Sequence, residues 1–244
     1  MNDSLNRLSD LAYPGRLIVI GRDRSGGHLI VVYAVTGRSP SSQARELVRR
    51  GEAVWTRPTD PEALAKGNPD LLVYPALIFG RGIAVGNGKQ TSDIDVRSAP
   101  NAIGALDGGL RKWSFEPDDP IFTPRISGCV LPGGAAALNI IRRGPGGEAE
   151  RQFFEFHPRP GEGRMISTYT GENVNPLPSF RGEPIELELA GTSARATAEA
   201  VYAALGPKAG GPDFRVAVAC AFAPSADLAP FDLALINRHE RSLP

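Results

Sequence analysis

Two residue types that build cross-links and metal centres are scarce in this chain. Its 244 residues include two cysteines, Cys129 and Cys220, with no CxxC pair, and three scattered histidines, His28, His157 and His239. That excludes a disulfide framework and a zinc site of ordinary spacing, and makes a His-rich metal centre improbable. Neither a metal nor a redox cofactor is expected. An excess of one charge is lacking too: 27 Lys plus Arg face 27 Asp plus Glu. No global field draws in nucleic acid or an anionic membrane, so anion binding has to come from local clusters. No apolar run reaches the roughly 18 residues that would span a bilayer, and the N-terminus has neither the basic nor the apolar segment of a signal peptide. The expectation is a soluble, cytoplasmic protein that binds neither nucleic acid nor membrane. A homo-oligomer is compatible with the sequence, which leaves that point open.

What the chain does have is punctuation. Its 28 glycines and 22 prolines fall mostly between apolar segments, with no low-complexity linker and no internal repeat. The length suffices to bury a substantial core, so residues 1–244 read as one domain. Leu17–Gly21 and Leu29–Thr36 are apolar, β-branched runs separated by a Gly-containing loop, the pattern of a hairpin. Ser41 and Ser42 are placed to cap a short helix carrying Ala44, Leu47 and Val48 on one face. Leu71–Phe79 and Ile83–Val85 read as an antiparallel pair ending in an Asn87-Gly88 turn, and helical spacing surrounds Ile103, Leu110 and Trp113. Further strands are expected at Ile126–Leu131, Ala136–Arg142, Gln152–His157, Met165–Thr170, Ile185–Leu189, Phe214–Ala223 and Phe231–Ile236. The clearest helix is Thr192–Leu205, capped by Thr192 and stopped by Gly206-Pro207. Many short strands in hairpins with two or three helices give an α+β fold of layered antiparallel sheets.

Four polar segments carry the chemistry. Tyr13-Pro-Gly-Arg16 enters the first strand and offers a guanidinium fork for phosphate or carboxylate; a solvated arginine on a plain turn is the bland alternative. Gly37-Arg38-Ser39, with Arg45 behind it, joins a strand end to a capped helix and reads as an anion site, or else as an amphipathic helix with exposed arginines. Asn87-Gly-Lys-Gln-Thr91 begins as a turn, but Lys89, Gln90 and Thr91 add a cation, an amide and a hydroxyl able to polarise an oxygen that gains charge. Glu116-Pro-Asp-Asp-Pro-Ile-Phe-Thr-Pro-Arg125 has three prolines, so it is a stiff loop that can hold a carboxylate at low entropic cost. Tyr74 either donates to a ring substituent of a substrate or stacks on a base, or else is a core aromatic with a satisfied hydroxyl. Cys129 and Cys220 read as buried small hydrophobes, His157 as a strand edge, and Arg142, Arg143 and Arg151 as flanks of a solvated hairpin tip at Gly144–Gly147.

In this order the segments resemble the archaeal-type IMP cyclohydrolase family, from about Tyr13 to Arg125, with weaker echoes at Tyr169 and Pro178–Pro184. The Glu-Pro-Asp-x-Pro-x-x-Thr-Pro-Arg-Ile pattern runs nearly unbroken through Ile126. Of a Ser-Arg-Asn-Arg-like stretch, Ser42-Gln-Ala-Arg45 keeps only the ends, and Ser92 is inserted before Asp93. The resemblance implies the four-layered α-β-β-α sandwich of N-terminal-nucleophile hydrolases, without their self-processing. It also implies closure of 5-formamidoimidazole-4-carboxamide ribonucleotide to IMP, with a purine nucleotide precursor as the small-molecule partner. On that reading Arg16, Arg38, Ser39 and Arg45 hold the 5′-phosphate, while Asn87, Gln90, Thr91 and Thr123 bind substrate. Lys89, Glu116 and Tyr74 act in catalysis, and Arg125 orients Glu116 or binds the base. A diverged cyclohydrolase acting on a related imidazole or pyrazole nucleotide, and a non-catalytic nucleotide-binding protein, are the alternatives.

Overall fold

Strand β2 (His28–Thr36) shows how the fold is built, because its side chains alternate between two separate cores. Leu29, Val31, Tyr33 and Val35 enter one cluster, and Ile30, Val32 and Ala34 the other. A strand buried on both faces needs apolar residues at every position, which explains the unbroken run. The computed structural model describes residues 5–60, 62, 69–208 and 210–241. Among these, the architecture is α+β with two antiparallel sheets. The first sheet orders β11 (Ile185–Glu188), β10 (Glu162–Ser167), β1 (Arg16–Arg22), β2, β12 (Arg215–Pro224) and β13 (Asp232–Asn237). The second runs in chain order through β3 (Arg45–Arg50), β4 (Ala53–Pro58), β5 (Pro75–Phe79), β6 (Ile83–Gly86), β7 (Arg125–Val130), β8 (Ala136–Arg143) and β9 (Ala149–Phe156).

The largest core combines both sheets: Ile18 and Ile20 of β1 belong to it with Ile126 and Val130 of β7 and Leu138 of β8. A second core sets Leu17 and Val19 with Ala194, Ala198 and Val201 of a helix at Ala194–Ala204. A third sets Ala84, Cys129 and Ala137 with Ala102, Leu106 and Leu110 of a helix at Ala102–Leu110. Both cysteines are fully buried in these outer cores, and burial pushes the Cys129 thiol up to about 12. No helix among the described residues is long and apolar enough to cross a membrane.

Several local expectations are corrected. The segment after Ser39 makes one helical turn, Pro40–Gln43, capped by Ser39 accepting from the Ser42 amide, and then becomes β3 rather than a longer helix. Pairing with β4, which was not anticipated, overrides the helical spacing. Residues Pro69–Leu72 are helical and the strand begins only at Pro75. Asn87-Gly88 is no hairpin turn: Gly88 caps a 3-10 turn over Lys89–Asp93 and β6 pairs with β7, far along the chain. The Ala194–Ala204 helix is capped by Ser193, not Thr192. Arg142 is buried instead of solvated, because Glu150 takes both ends of its guanidinium at 3.0 and 2.9 Å.

Candidate active site

Two strands from different sheets begin at the same end of the molecule with an arginine. Arg16 opens β1 and Arg125 opens β7. Glu116, carried by the proline-rich loop, lies between them: its Oε2 is 3.9 Å from Arg16 Nη2, and its Oε1 is 3.7 Å from Arg125 Nη1. The loop is pinned there because the Glu116 amide donates to the Thr123 carbonyl at 2.8 Å. Arg125 is held from three further sides. Its Nε donates to the Ser114 carbonyl at 2.9 Å, its Nη1 to Gln90 Oε1 at 3.0 Å, and its guanidinium lies over the Trp113 ring. Arg45 sits behind this group, its Nε donating to the Ser42 carbonyl at 2.9 Å.

Burial makes this arrangement electrically unusual. Only 1% of Glu116 is exposed, and desolvation raises its pKa although Arg16 and Arg125 oppose the rise. Burial pushes Arg45 down, helped by the like charge of Arg16, and pushes Arg125 down as well. Burial is the largest influence on Arg16 and works against its charge, but Glu116 together with Tyr74, Tyr169 and Tyr33 outweighs it, and the Arg16 pKa stays well above its ordinary value. Arg16 Nε, Arg45 Nη1 and Glu116 Oε1 are buried polar atoms without a hydrogen-bond partner. Three guanidiniums gather around one carboxylate, leaving local positive charge in a place where an unmatched charge is costly. Such a cluster is suited to an anion, and the raised carboxyl is suited to proton transfer.

The cluster opens into a cleft of about 420 Å³, within the range of small-molecule sites. Arg16 and Glu116 line it, together with Tyr13, Arg38, Ser39, Ser42, Asp118, Thr123 and Tyr169. Tyr13 and Tyr169 stack with ring centroids 5.8 Å apart, and Arg38 covers the Tyr13 ring at 5.0 Å. Asn173 Oδ1 and the Val174 carbonyl each accept from Arg38 Nη1 at 3.1 Å. A cation over paired aromatic rings offers both charge and a stacking surface.

The structure divides the residues singled out in the sequence. Arg16, Arg38, Ser39, Glu116 and Thr123 meet in the cleft wall, with Arg45 and Arg125 packed behind. Asn87, Gln90 and Thr91 are buried away from the cleft and hold backbone and Arg125. Asn87 Nδ2 donates to the Pro124 carbonyl, its Oδ1 accepts from the Ile126 amide and Gln90 Nε2, and Thr91 Oγ1 donates to the Gly88 carbonyl. Lys89 is exposed and is not among the lining residues. Tyr74 is fully buried, its hydroxyl 2.8 Å from that of Tyr33, and also lies outside the lining. Sequence reasoning gave no role to Tyr13, Asp118 or Tyr169. Tyr13 and Asp118 stand inside the motifs already quoted, and Tyr169 carried only a weak echo of the resemblance.

Residues 13–222 match a family described as IMP cyclohydrolase-like protein. Two curated relatives, each named IMP cyclohydrolase and from different strains of Halobacterium salinarum, are 30% identical over 132 residues. The match covers 53% of this chain, and the chain spans 63% of the length of those relatives. With the matched stretch beginning at Tyr13 of the cleft and reaching into β12, the chain belongs to the IMP cyclohydrolase-like protein family.

Proposed function

We propose that this protein closes 5-formamidoimidazole-4-carboxamide ribonucleotide to IMP with loss of water, a step of purine biosynthesis. The observation that carries the reading is Glu116, almost wholly buried between Arg16 and Arg125 and with no hydrogen-bond partner on Oε1, at the wall of a cleft of small-molecule size. In this reaction the carboxamide nitrogen attacks the formyl carbon of the same molecule. The carboxamide nitrogen gives up one proton and the formamido nitrogen another, and the formyl oxygen leaves as water. Tethered reactants leave the protein three tasks: hold the reactive conformer, move protons, and stabilise charge on the formyl oxygen. Glu116 takes and returns the proton. Arg16 faces the developing oxyanion, and Arg38 with Ser39 holds the phosphate at the mouth. Arg45, Arg125, Asn87, Gln90 and Thr91 support these groups from behind. On the same reading the two sheets and their outer helices form the α-β-β-α sandwich of N-terminal-nucleophile hydrolases.

One feature favours a second substrate. The stretch Ser42-Gln-Ala-Arg45 keeps only the ends of the expected motif: Ser42 stays in the cleft wall, while one expected basic side chain is missing from the stretch behind it. A related imidazole or pyrazole nucleotide fits that change. Incubating the purified protein with the formamido nucleotide and following ultraviolet absorbance tests both. Formation of IMP by the wild type, reduced about 100-fold or more in Glu116→Gln, is the expected result. Turnover only of an analogue moves the assignment to the second substrate; binding with no turnover of either ligand overturns catalysis.

A further inference from the structure

One hydrogen-bond chain in the cleft has a direction fixed by its chemistry. Thr123 Oγ1 contacts both Asp118 Oδ2 and the Tyr169 hydroxyl, the latter at 2.8 Å. A threonine hydroxyl has one proton to give, and an ionised carboxylate can only accept. Thr123 therefore donates to Asp118, and Tyr169 donates to Thr123. Asp118 is held for this: its Oδ1 accepts from the Thr123 amide at 2.6 Å, and its own carbonyl accepts from the Ile121 amide at 2.9 Å. Tyr169 is held by stacking on Tyr13, and burial pushes its phenol up to about 12, with Arg16 opposing, so it keeps its proton.

With that proton committed to Thr123, the phenol oxygen retains acceptor capacity, and Tyr169 lines the cleft beside Arg16 and Glu116. The polarity of this wall spot is thus set in advance, and a chain ending on a carboxylate strengthens the acceptor. We infer that Tyr169 receives a hydrogen bond from an N–H of the substrate's carboxamide, holding that nitrogen toward the formyl carbon. Thr123 and Asp118 are positioning residues that keep the phenol turned the right way. This deepens the ring-closure reading and rests on it.

Two measurements separate this inference from its parent. The first uses turnover in Tyr169→Phe, Thr123→Val and Thr123→Ser, with folding verified by thermal denaturation. Thr123→Val removes the acceptor and frees the phenol to donate into the cleft, whereas serine restores the chain. A kcat about tenfold lower for Tyr169→Phe and Thr123→Val, with KM within about threefold and Thr123→Ser close to wild type, is expected for one misdirected hydrogen bond. Wild-type kcat in both Tyr169→Phe and Thr123→Val, while Glu116→Gln is inactive, overturns the inference and leaves ring closure standing.

The second needs no turnover. Calorimetry compares binding of the deformylated amino-carboxamide nucleotide, whose carboxamide presents an N–H, with its carboxylate counterpart, in which that one group presents only acceptors. The ratio of the two affinities should fall about tenfold from wild type to Thr123→Val. An unchanged ratio overturns the inference even if the protein turns over no formamido nucleotide; a reduced ratio without turnover keeps the acceptor and removes the reaction.

Discussion

At the scale of a residue, Glu116 is the group whose environment is most out of keeping with its chemistry. A carboxyl near 1% exposure resists ionisation, and the arginines on both sides only partly offset that resistance. Acting as the base, Glu116 must be ionised to work. The kcat/KM should therefore rise with pH through a limb above the ordinary glutamate value of about 4.3, and the limb should vanish in Glu116→Gln. A limb at the ordinary value would show that burial does not govern this group. The same displacement has a sign for stability. With the folded pKa above the unfolded one, the contribution of Glu116 is fully present below the unfolded value and is lost as pH rises through the folded value. Melting temperature of the wild type relative to Glu116→Gln should accordingly fall as pH rises above the ordinary glutamate value of about 4.3.

At the scale of an element, the turn Asn87–Asp93 works as a latch on Arg125. Gly88 has extended backbone, so its requirement is space: an added Cβ would lie 2.4 Å from Arg125 Nη1 and 2.4 Å from Gln90 Oε1. Both neighbours are ends of side chains and can shift, at the cost of the Arg125–Gln90 bond. Gly88→Ala should leave the melting temperature within a few degrees, a change of about 1 kcal/mol or less. It should also lower kcat about tenfold by moving Arg125 from Glu116; full activity would show that the latch does not matter. This turn also illustrates what the sequence could convey. Its residue types marked it as special, yet donors and cations there signalled substrate contact equally well as support for a neighbour. The runs of β1 and β2 were legible because both faces are buried and every position is apolar. Strand β3 was not, since Arg45-Glu-Leu-Val-Arg-Arg50 has helical spacing and it is pairing with β4, the next strand, that makes it a strand. Asn237, at the end of β13, accepts from the Leu47 amide at 2.8 Å and donates to its carbonyl at 3.1 Å, joining the edges of the two sheets. Arg142 was misjudged for the same reason, because its counterion arrives from the next strand.

At the scale of the whole molecule, Arg16 and Arg125 are brought to one carboxylate only because two separate sheets pack closely. The approach is tight at Gly128 of β7, where a Cβ would stand 2.9 Å from Ile20 Cδ1 of β1 and 2.9 Å from Leu138 Cδ2 of β8. Glycine there lets Ile20 cross the space between the sheets, with Arg16 at the head of the same strand as Ile20 and Arg125 at the head of the same strand as Gly128. Gly128→Val should act as a wedge, costing about 1–3 kcal/mol by overpacking and lowering turnover through the altered spacing of Arg16, Glu116 and Arg125. Ile20→Ala alone leaves a cavity and is destabilising by about 2–5 kcal/mol. Combined, the two changes partly fill each other's space, so urea denaturation should give a double variant more stable than the sum of the singles by about 1 kcal/mol or more. Turnover should recover in the same double variant. If stability recovers but turnover does not, the spacing of the sheets is not what aligns the arginines; if the two costs simply add, Ile20 is not what limits the space at Gly128.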